Sequence, residues 1–314
     1  ISDEQDDEEI LAIENEAEIP DTDIQEDYKD ENTSTNIDVF SSGEDFETDA
    51  ENDVETNEEW KTLTTIESEE RVLYKYDENS KTLYFKCTEP IAIPDYNYGN
   101  RTDWFVDLGA DKIAQIEKIV IGDGITGIGQ YCFQSKTAST SYTNLKEVVL
   151  ADSVKTIGKG AFGSDSALNK INLENITSVG MAAFAKCALE QVNFSSASIE
   201  INTNAFKGCP SLNTVKAKEI SCLGESAFED CTALKSFEYE GTIENISESA
   251  FASTGLTTFR FGSVKSIGFM AFWNSALKSG CYEGTREEWN NLIDGDEDYA
   301  NVSIHCKGDA VEAK

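Results

Sequence analysis

The 314-residue chain has one histidine, His305, and no Cys-x-x-Cys pair. A zinc or iron site needs several such ligands at close spacing, so no metal is expected. Nucleophilic catalysis with an imidazole base would have to use His305, which falls in a short C-terminal strand pattern with no triad partner in view. No glycine-rich loop of the phosphate-binding kind is present. Acidic residues are plentiful, but nothing in the sequence places two of them in a cleft. An enzyme is therefore not expected, and no cofactor is implied. No apolar run approaches the roughly eighteen residues that a membrane-spanning helix requires. The net charge of −35 argues against nucleic acid and anionic lipid as partners, since both need cationic clusters. Eight cysteines are too few, in a chain this long, for a disulfide scaffold.

The abundant feature is repetition. An Ala-Phe pair returns at Ala161-Phe162, Ala183-Phe184, Ala205-Phe206, Ala227-Phe228, Ala250-Phe251 and Ala271-Phe272, with the variant Cys132-Phe133 upstream. From Phe133 onward the spacings are 29, 22, 22, 22, 23 and 21 residues, a period that marks a solenoid or array. An aliphatic residue stands five positions before each Phe, from Ile128 and Ile157 to Ile267, usually with Gly after it. A leucine follows five or six positions later, as at Leu168, Leu189 and Leu212. Then comes a short alternating run such as Val192-Asn193-Phe194 or Phe259-Arg260-Phe261, which is a strand signal. One strand per coil, bounded by turn residues, describes a stacked parallel sheet. Cys187, Cys209 and Cys231 each lie three residues after a repeat Phe and should form a buried thiol ladder.

The pattern I-G-x-x-A-F-x-x-C-x-x-L-x-x-V-x-F resembles the BspA-like, or treponemal-type, leucine-rich repeat family over roughly residues 116 to 282. The stretches around Leu83-Tyr84-Phe85 and Tyr282-Glu283-Gly284-Thr285 resemble flanks often attached to such repeats. The resemblance implies a right-handed leucine-rich-repeat solenoid, mostly β, with a parallel sheet, short helical or 3-10 turns, and N- and C-terminal caps. It also implies a secreted or cell-surface bacterial protein used for adhesion. The start at Ile1 rather than Met fits a leader removed before it.

Four regions are expected. Residues 1–59 carry 25 acids and one base, Lys29, a net of −24 (25 − 1), against −11 (35 acids, 24 bases) for the remainder. So polar a segment reads as a disordered acidic tail. Residues 60–115 read as an N-terminal β-hairpin cap, with Val72–Tyr76 and Lys81–Phe85 as its strands and an aromatic-rich loop from Pro90 to Trp104. Residues 116–280 are the solenoid, with an insertion between Gln134 and Asn144. Residues 281–314 are the C-terminal cap and end, where Thr285-x-x-Glu288 has the capping-box pattern. Cys281 and Cys306 flank this cap, so a disulfide between them is one possibility. Asp294-Gly295-Asp296-Glu297-Asp298 starts like a calcium loop, but Tyr299 stands where Gly is required and His305 where the bidentate Glu belongs, which rejects that site.

What remains for function is surface. Alternation turns the middle residue of each strand triplet outward, giving Asn172, Asn193, Lys216, Glu238 and Arg260 among others, and polar pairs such as Lys146-Glu147 precede them. The candidate binding residues are therefore Lys146, Asn172, Asn193, Lys216, Glu238 and Arg260. They are expected to form one continuous stripe on a concave sheet. The resemblance makes the partner a host or microbial surface protein, bound without catalysis by a monomer. A structural spacer is the alternative, as is a glycan-binding module acting through Tyr96, Tyr98 and Trp104.

Overall fold

In a computed structural model of the protein, residues 60–63, 72–98, 102–135, 141–293 and 297–309 are described. The expected acidic tail, most of the inserted residues at 136–140, and the calcium-like residues 294–296 lie outside the described residues.

The chain winds as a leucine-rich-repeat solenoid whose coils have three sides. On the first side lie parallel strands, among them Lys118–Ile121, Glu147–Leu150, Gln191–Phe194, Thr214–Ala217 and Ser236–Tyr239. The same side ends with Thr258–Gly262, Ser279–Tyr282 and Ser303–Cys306. On the second side run shorter parallel strands, including Ile125–Ile128, Thr156–Ile157, Ser178–Val179 and Ile199–Ile201. Between these strands the coils approach closely. A Cβ on Gly180 would lie 2.7 Å from the backbone of Gly158 and Lys159 in the preceding coil, so a side chain there would force the coils apart.

The Ala-Phe steps make the third side, and they are turns rather than regular helix. Each turn from Phe162 onward is bracketed by residues of positive φ two positions before and two after its Phe. Examples are Ala182 and Lys186 around Phe184 (φ 52° and 62°), and Ser226 and Asp230 around Phe228 (52° and 60°). A helix cannot propagate through such alternation. The amides of alternate residues instead point to the next coil: Ala182, Phe184 and Lys186 donate to the carbonyls of Thr203, Ala205 and Lys207 at 3.0, 2.8 and 2.8 Å. The pattern recurs coil after coil and makes a third hydrogen-bonded ladder.

Inside, equivalent side chains stack. The rings of Phe162, Phe184, Phe206, Phe228 and Phe251 follow one another at 5.5, 5.4, 5.4 and 5.7 Å, nearly parallel, and all are fully buried. Cys187, Cys209 and Cys231 are buried free thiols, as the register implied, and each donates to a Phe carbonyl of the preceding coil at 3.1–3.2 Å. Asp165 holds the same place one coil earlier. Its carboxyl is fully buried and takes the Ser135 hydroxyl on one oxygen, while the other has no partner among the described residues. Burial pushes this carboxyl well above the usual range, against the Ser135 hydroxyl and amide that hold it down.

An open solenoid leaves an apolar end that must be covered. At the N-terminus the hairpin forms from Val72–Asp77 and Thr82–Cys87, and Thr82–Cys87 continues into Lys118–Ile121 as a parallel neighbour. Where a loop was expected, Trp104 lies in a helix, Asp103–Ile113, capped by the Thr102 hydroxyl accepting from the Phe105 amide. Thr102 precedes the helix as an N-cap residue should, but the aromatic run around it masked that signal. Trp104 is fully buried, edge-on to Phe85 at 4.9 Å, and donates to the Tyr142 hydroxyl at 2.7 Å. Tyr96 is buried beside it, so neither ring can serve as a glycan platform, and only Tyr98 of that trio is exposed.

At the other end the Thr285 and Glu288 side chains cap the helix Arg286–Ile293 reciprocally. This helix lays Trp289 on Phe261 at 4.7 Å, and Tyr299 closes over Phe272 at 6.2 Å. Cys281 and Cys306 are both free. Cys281 pairs in register with His305 and is exposed, whereas Cys306 pairs with Tyr282 and is buried. The two thiols therefore point to opposite faces of the sheet and cannot bridge.

Candidate functional site

Three of the six candidate residues lie together on the solvent face of the first side. In the middle coils Asn193, Lys216 and Glu238 stand directly side by side across three strands. Two residues further on, Ser195, Lys218 and Glu240 form a second exposed column. Together the two columns line an open depression of 320 Å³, floored by Ala217 and Tyr239. The second column was not singled out from the sequence, although carrying the alternation two residues past each strand would have found it.

The other candidates are placed differently. Asn172 turns its amide onto the neighbouring coil, accepting from the Leu150 amide at 2.7 Å and donating to the Leu150 carbonyl at 2.8 Å. That side chain replaces main-chain pairing where the strand Lys170–Ile171 stops short. Lys146 lies one position before its strand, where its ammonium is paired with Glu117 at 3.0 Å, as is Lys81 at 2.7 Å. Arg260 belongs to the next hydrogen-bonded sheet, where its register neighbours are Cys281 and, beyond it, His305. The expected single stripe is thus three shorter ones. Strand pairing on this side breaks after Lys170–Ile171, where the Ser195 amide still donates to the Glu174 carbonyl at 3.0 Å, and again after Ser236–Tyr239. At the second break, side chains bridge the coils instead: the Tyr239 hydroxyl donates to the Arg260 carbonyl, and the Arg260 guanidinium donates to the Tyr239 carbonyl.

Electrostatics divide the face as well. In its N-terminal part Glu147 lies between Lys118 and Lys170 at 2.9 and 2.8 Å. Burial works to raise the Glu147 carboxyl, but the two ammonium groups prevail and hold it below the usual range. Lys81 and Lys146 do the same to exposed Glu117. These charges neutralise one another. In the depression the balance is looser. Lys216 and Glu238 are 3.4 Å apart, and Glu238 is lowered first by the Ser236 hydroxyl, burial opposing, and then by Lys216. Burial pushes the Tyr239 hydroxyl up to about 12, with Arg260 opposing and Glu283 assisting. The Arg260 guanidinium lies 5.3 Å from the Tyr239 ring and 3.1 Å from Glu283. Among the described residues no group of three or more His, Cys, Asp or Glu side chains is placed to hold a metal ion. No helix of the described residues is long and apolar enough to cross a membrane. The arrangement offers charge and hydrogen-bonding groups on an open, ordered surface, which suits recognition.

A family model described as the BspA type leucine rich repeat region matches six copies, over residues 111–177, 138–219 and 155–278. Among solved structures, a leucine-rich repeat protein of T. pallidum is 19% identical, covering 66% of this chain and 82% of that one, with a TM-score of 0.38. A leucine-rich repeat protein from Bacteroides ovatus is 17% identical over 76% of this chain and 66% of its own, with a TM-score of 0.41. A leucine-rich cell surface protein from Faecalibacterium prausnitzii is 18% identical over 70% and 95%, with a TM-score of 0.26. No curated protein matches the sequence.

Proposed function

The chain belongs to the BspA-type leucine-rich repeat family, and from that membership we propose that it is a non-catalytic binding protein of the cell surface or extracellular space. Its partner is a host or microbial protein, held on the depression lined by Asn193, Ser195, Lys216, Lys218, Glu238 and Glu240. One observation carries this reading. On a face whose N-terminal charges are neutralised in place, these two columns keep exposed charges of both signs around an open hollow. Rigid strands in register fix their spacing, so a partner meets a preformed pattern. Mixed charge selects a complementary surface and speeds encounter more than it deepens affinity. Arg260 and Glu283 extend the pattern toward the C-terminal cap.

The test begins with mucin or serum matrix proteins offered as prey to the immobilised protein. A partner so captured should bind the Lys216→Glu, Arg260→Glu double variant more weakly, with a flatter salt dependence. Lys216→Glu is an ordinary exposed change worth only about 0.5 kcal/mol. Arg260→Glu gives up the bond to the Tyr239 carbonyl and the pair with Glu283, so the comparison is made at a temperature where the melting curve shows both forms folded. A captured partner that binds both forms alike, at every salt concentration, removes the depression as the site. A structural spacer is the second reading, favoured by the self-neutralised N-terminal part of the face, and it predicts no saturable binding to any of these proteins.

A further inference from the structure

The third ladder has a polarity, and the polarity leaves one end open. In successive turns from Tyr131 to Ser253 the alternate amides donate forward to the next coil. The last turn contains Met270, Phe272 and Asn274. Among the described residues no further turn of this kind follows it, and the C-terminal cap meets it through Tyr299 packing on the Phe272 ring. Its carbonyls are taken, since Phe269, Ala271 and Trp273 accept from Ser249, Phe251 and Ser253 at 3.1, 2.8 and 2.8 Å. Among the described residues, the amides of Met270, Phe272 and Asn274 have no acceptor. Met270 and Asn274 keep the left-handed conformation that aims such amides forward, with φ of 54° and 53°.

The side chains change at this same turn. The positions three before and one after the repeat Phe carry Lys159 and Gly163, Met181 and Ala185, Thr203 and Lys207, Glu225 and Glu229, or Glu248 and Ala252 in earlier coils, so no earlier turn places an aromatic ring at either position. In the last turn they carry Phe269 and Trp273, which are 65% and 48% exposed. Proteins ordinarily blunt an unpaired edge with charge. Here the edge is instead flanked by two aromatic rings.

We propose that the turn Phe269–Asn274 is a docking edge for an extended segment of a partner polypeptide. The segment presents main-chain carbonyls to the amides of Met270, Phe272 and Asn274, and apolar side chains to Phe269 and Trp273. Donor polarity fixes the class of occupant. Two copies joined through this edge would oppose donors to donors. Head-to-tail stacking fails too, because the start of the ladder is covered: Tyr96 already donates to the Gln130 carbonyl at 3.0 Å, and Cys132 is buried beneath Pro94. Main-chain addition of this kind draws affinity from the hydrogen bonds and specificity from the flanking side-chain contacts.

The probe is a display library of random linear peptides, panned on the whole protein. Selected peptides should lose roughly thirtyfold in affinity on the Phe269→Ser, Trp273→Ser variant, as for truncation of aromatic anchors. They should bind the Lys216→Glu, Arg260→Glu variant unchanged, which separates this edge from the depression. Bound peptide should also slow hydrogen exchange at the amides of Met270, Phe272 and Asn274. Both altered rings are exposed, so the melting temperature of the first variant should match the parent. Peptides that bind both variants equally, protection that appears elsewhere, or a panning that yields no saturable binder would each overturn the proposal. So would self-association that the Phe269→Ser, Trp273→Ser variant abolishes, because the occupant would then be a second copy.

Discussion

Truncating Phe206 to alanine removes the middle ring of the seven-ring stack that runs from Phe133 to Phe272. Phe206 is fully buried, lies 5.4 Å from both Phe184 and Phe228, and meets Phe194 edge-on at 6.3 Å. Lost burial and the residual cavity together cost about 3–5 kcal/mol for a buried Phe→Ala change. Little relaxation is available to shrink that cavity, because the flanking coils are tied by main-chain ladders. Lys186 and Phe206 donate to Lys207 and Ala227 carbonyls at 2.8 and 2.9 Å directly around the site. The cost should therefore lie toward the upper end of that range. Urea unfolding followed by far-ultraviolet circular dichroism and by tryptophan fluorescence reads it from both the coils and the caps. Trp60 and Trp104 report the N-terminal end, and Trp273 and Trp289 the C-terminal end. Coils contact only their neighbours, so a weakened central coil should also pull the two signals apart. A midpoint shift no larger than that of the exposed Lys235→Ala change would refute the stacked-ring account.

Asp165 gives a pH prediction. Its carboxyl is raised in the folded state, so folding retains a proton that the unfolded chain has released. Its unfavourable contribution is absent below the ordinary range near about 4 and grows as pH rises from there. Asp165→Cys, which installs the residue found at Cys187, Cys209 and Cys231, should raise the melting temperature more at pH 8 than at pH 4.5. An equal rise at both would show that the carboxyl is not strained. Thiol accessibility follows from burial. Cys222 and Cys281 should react with a thiol reagent in the native protein, and Cys132, Cys187, Cys209 and Cys231 only on unfolding. A reductant should leave the melting temperature unaltered, whereas a Cys281–Cys306 bridge would make it fall. Replacing Gly180 with alanine should cost about 1–3 kcal/mol by overpacking the coil contact, read by the same urea titration; a neutral result would mean the coils can part there freely.

The repeat made the fold legible. Positions such as Ile201, Phe206, Cys209, Leu212 and Val215 could be placed in the core because each recurs in register, and all five are buried. The opposite facing of Cys281 and Cys306 depends on the register between the two cap strands, which pairs Cys306 with Tyr282 and which the repeat period does not fix. The helix Asp103–Ile113 was obscured by local chemistry. Gly109 sits inside it at φ 75°, and Trp104 and Phe105 turn inward instead of marking an exposed loop. Of the candidate site, Asn193, Lys216 and Glu238 followed from alternation alone. Asn172 did not, because alternation gives a side chain's direction and says nothing of a bond back to Leu150. The ladder polarity that leaves Met270, Phe272 and Asn274 without acceptors depends on backbone angles that hydrophobic patterning does not encode.

The depression between the two outward columns is tested most directly by lysine footprinting. The protein, alone and saturated with a partner captured from mucin or matrix proteins, would be acetylated and each lysine quantified by mass spectrometry. Binding on the depression predicts that Lys216 and Lys218 lose most of their labelling, while Lys170 on the N-terminal part of the same face and Lys265 in its pair with Glu244 keep theirs. Undiminished labelling of Lys216 and Lys218 at saturation would contradict it.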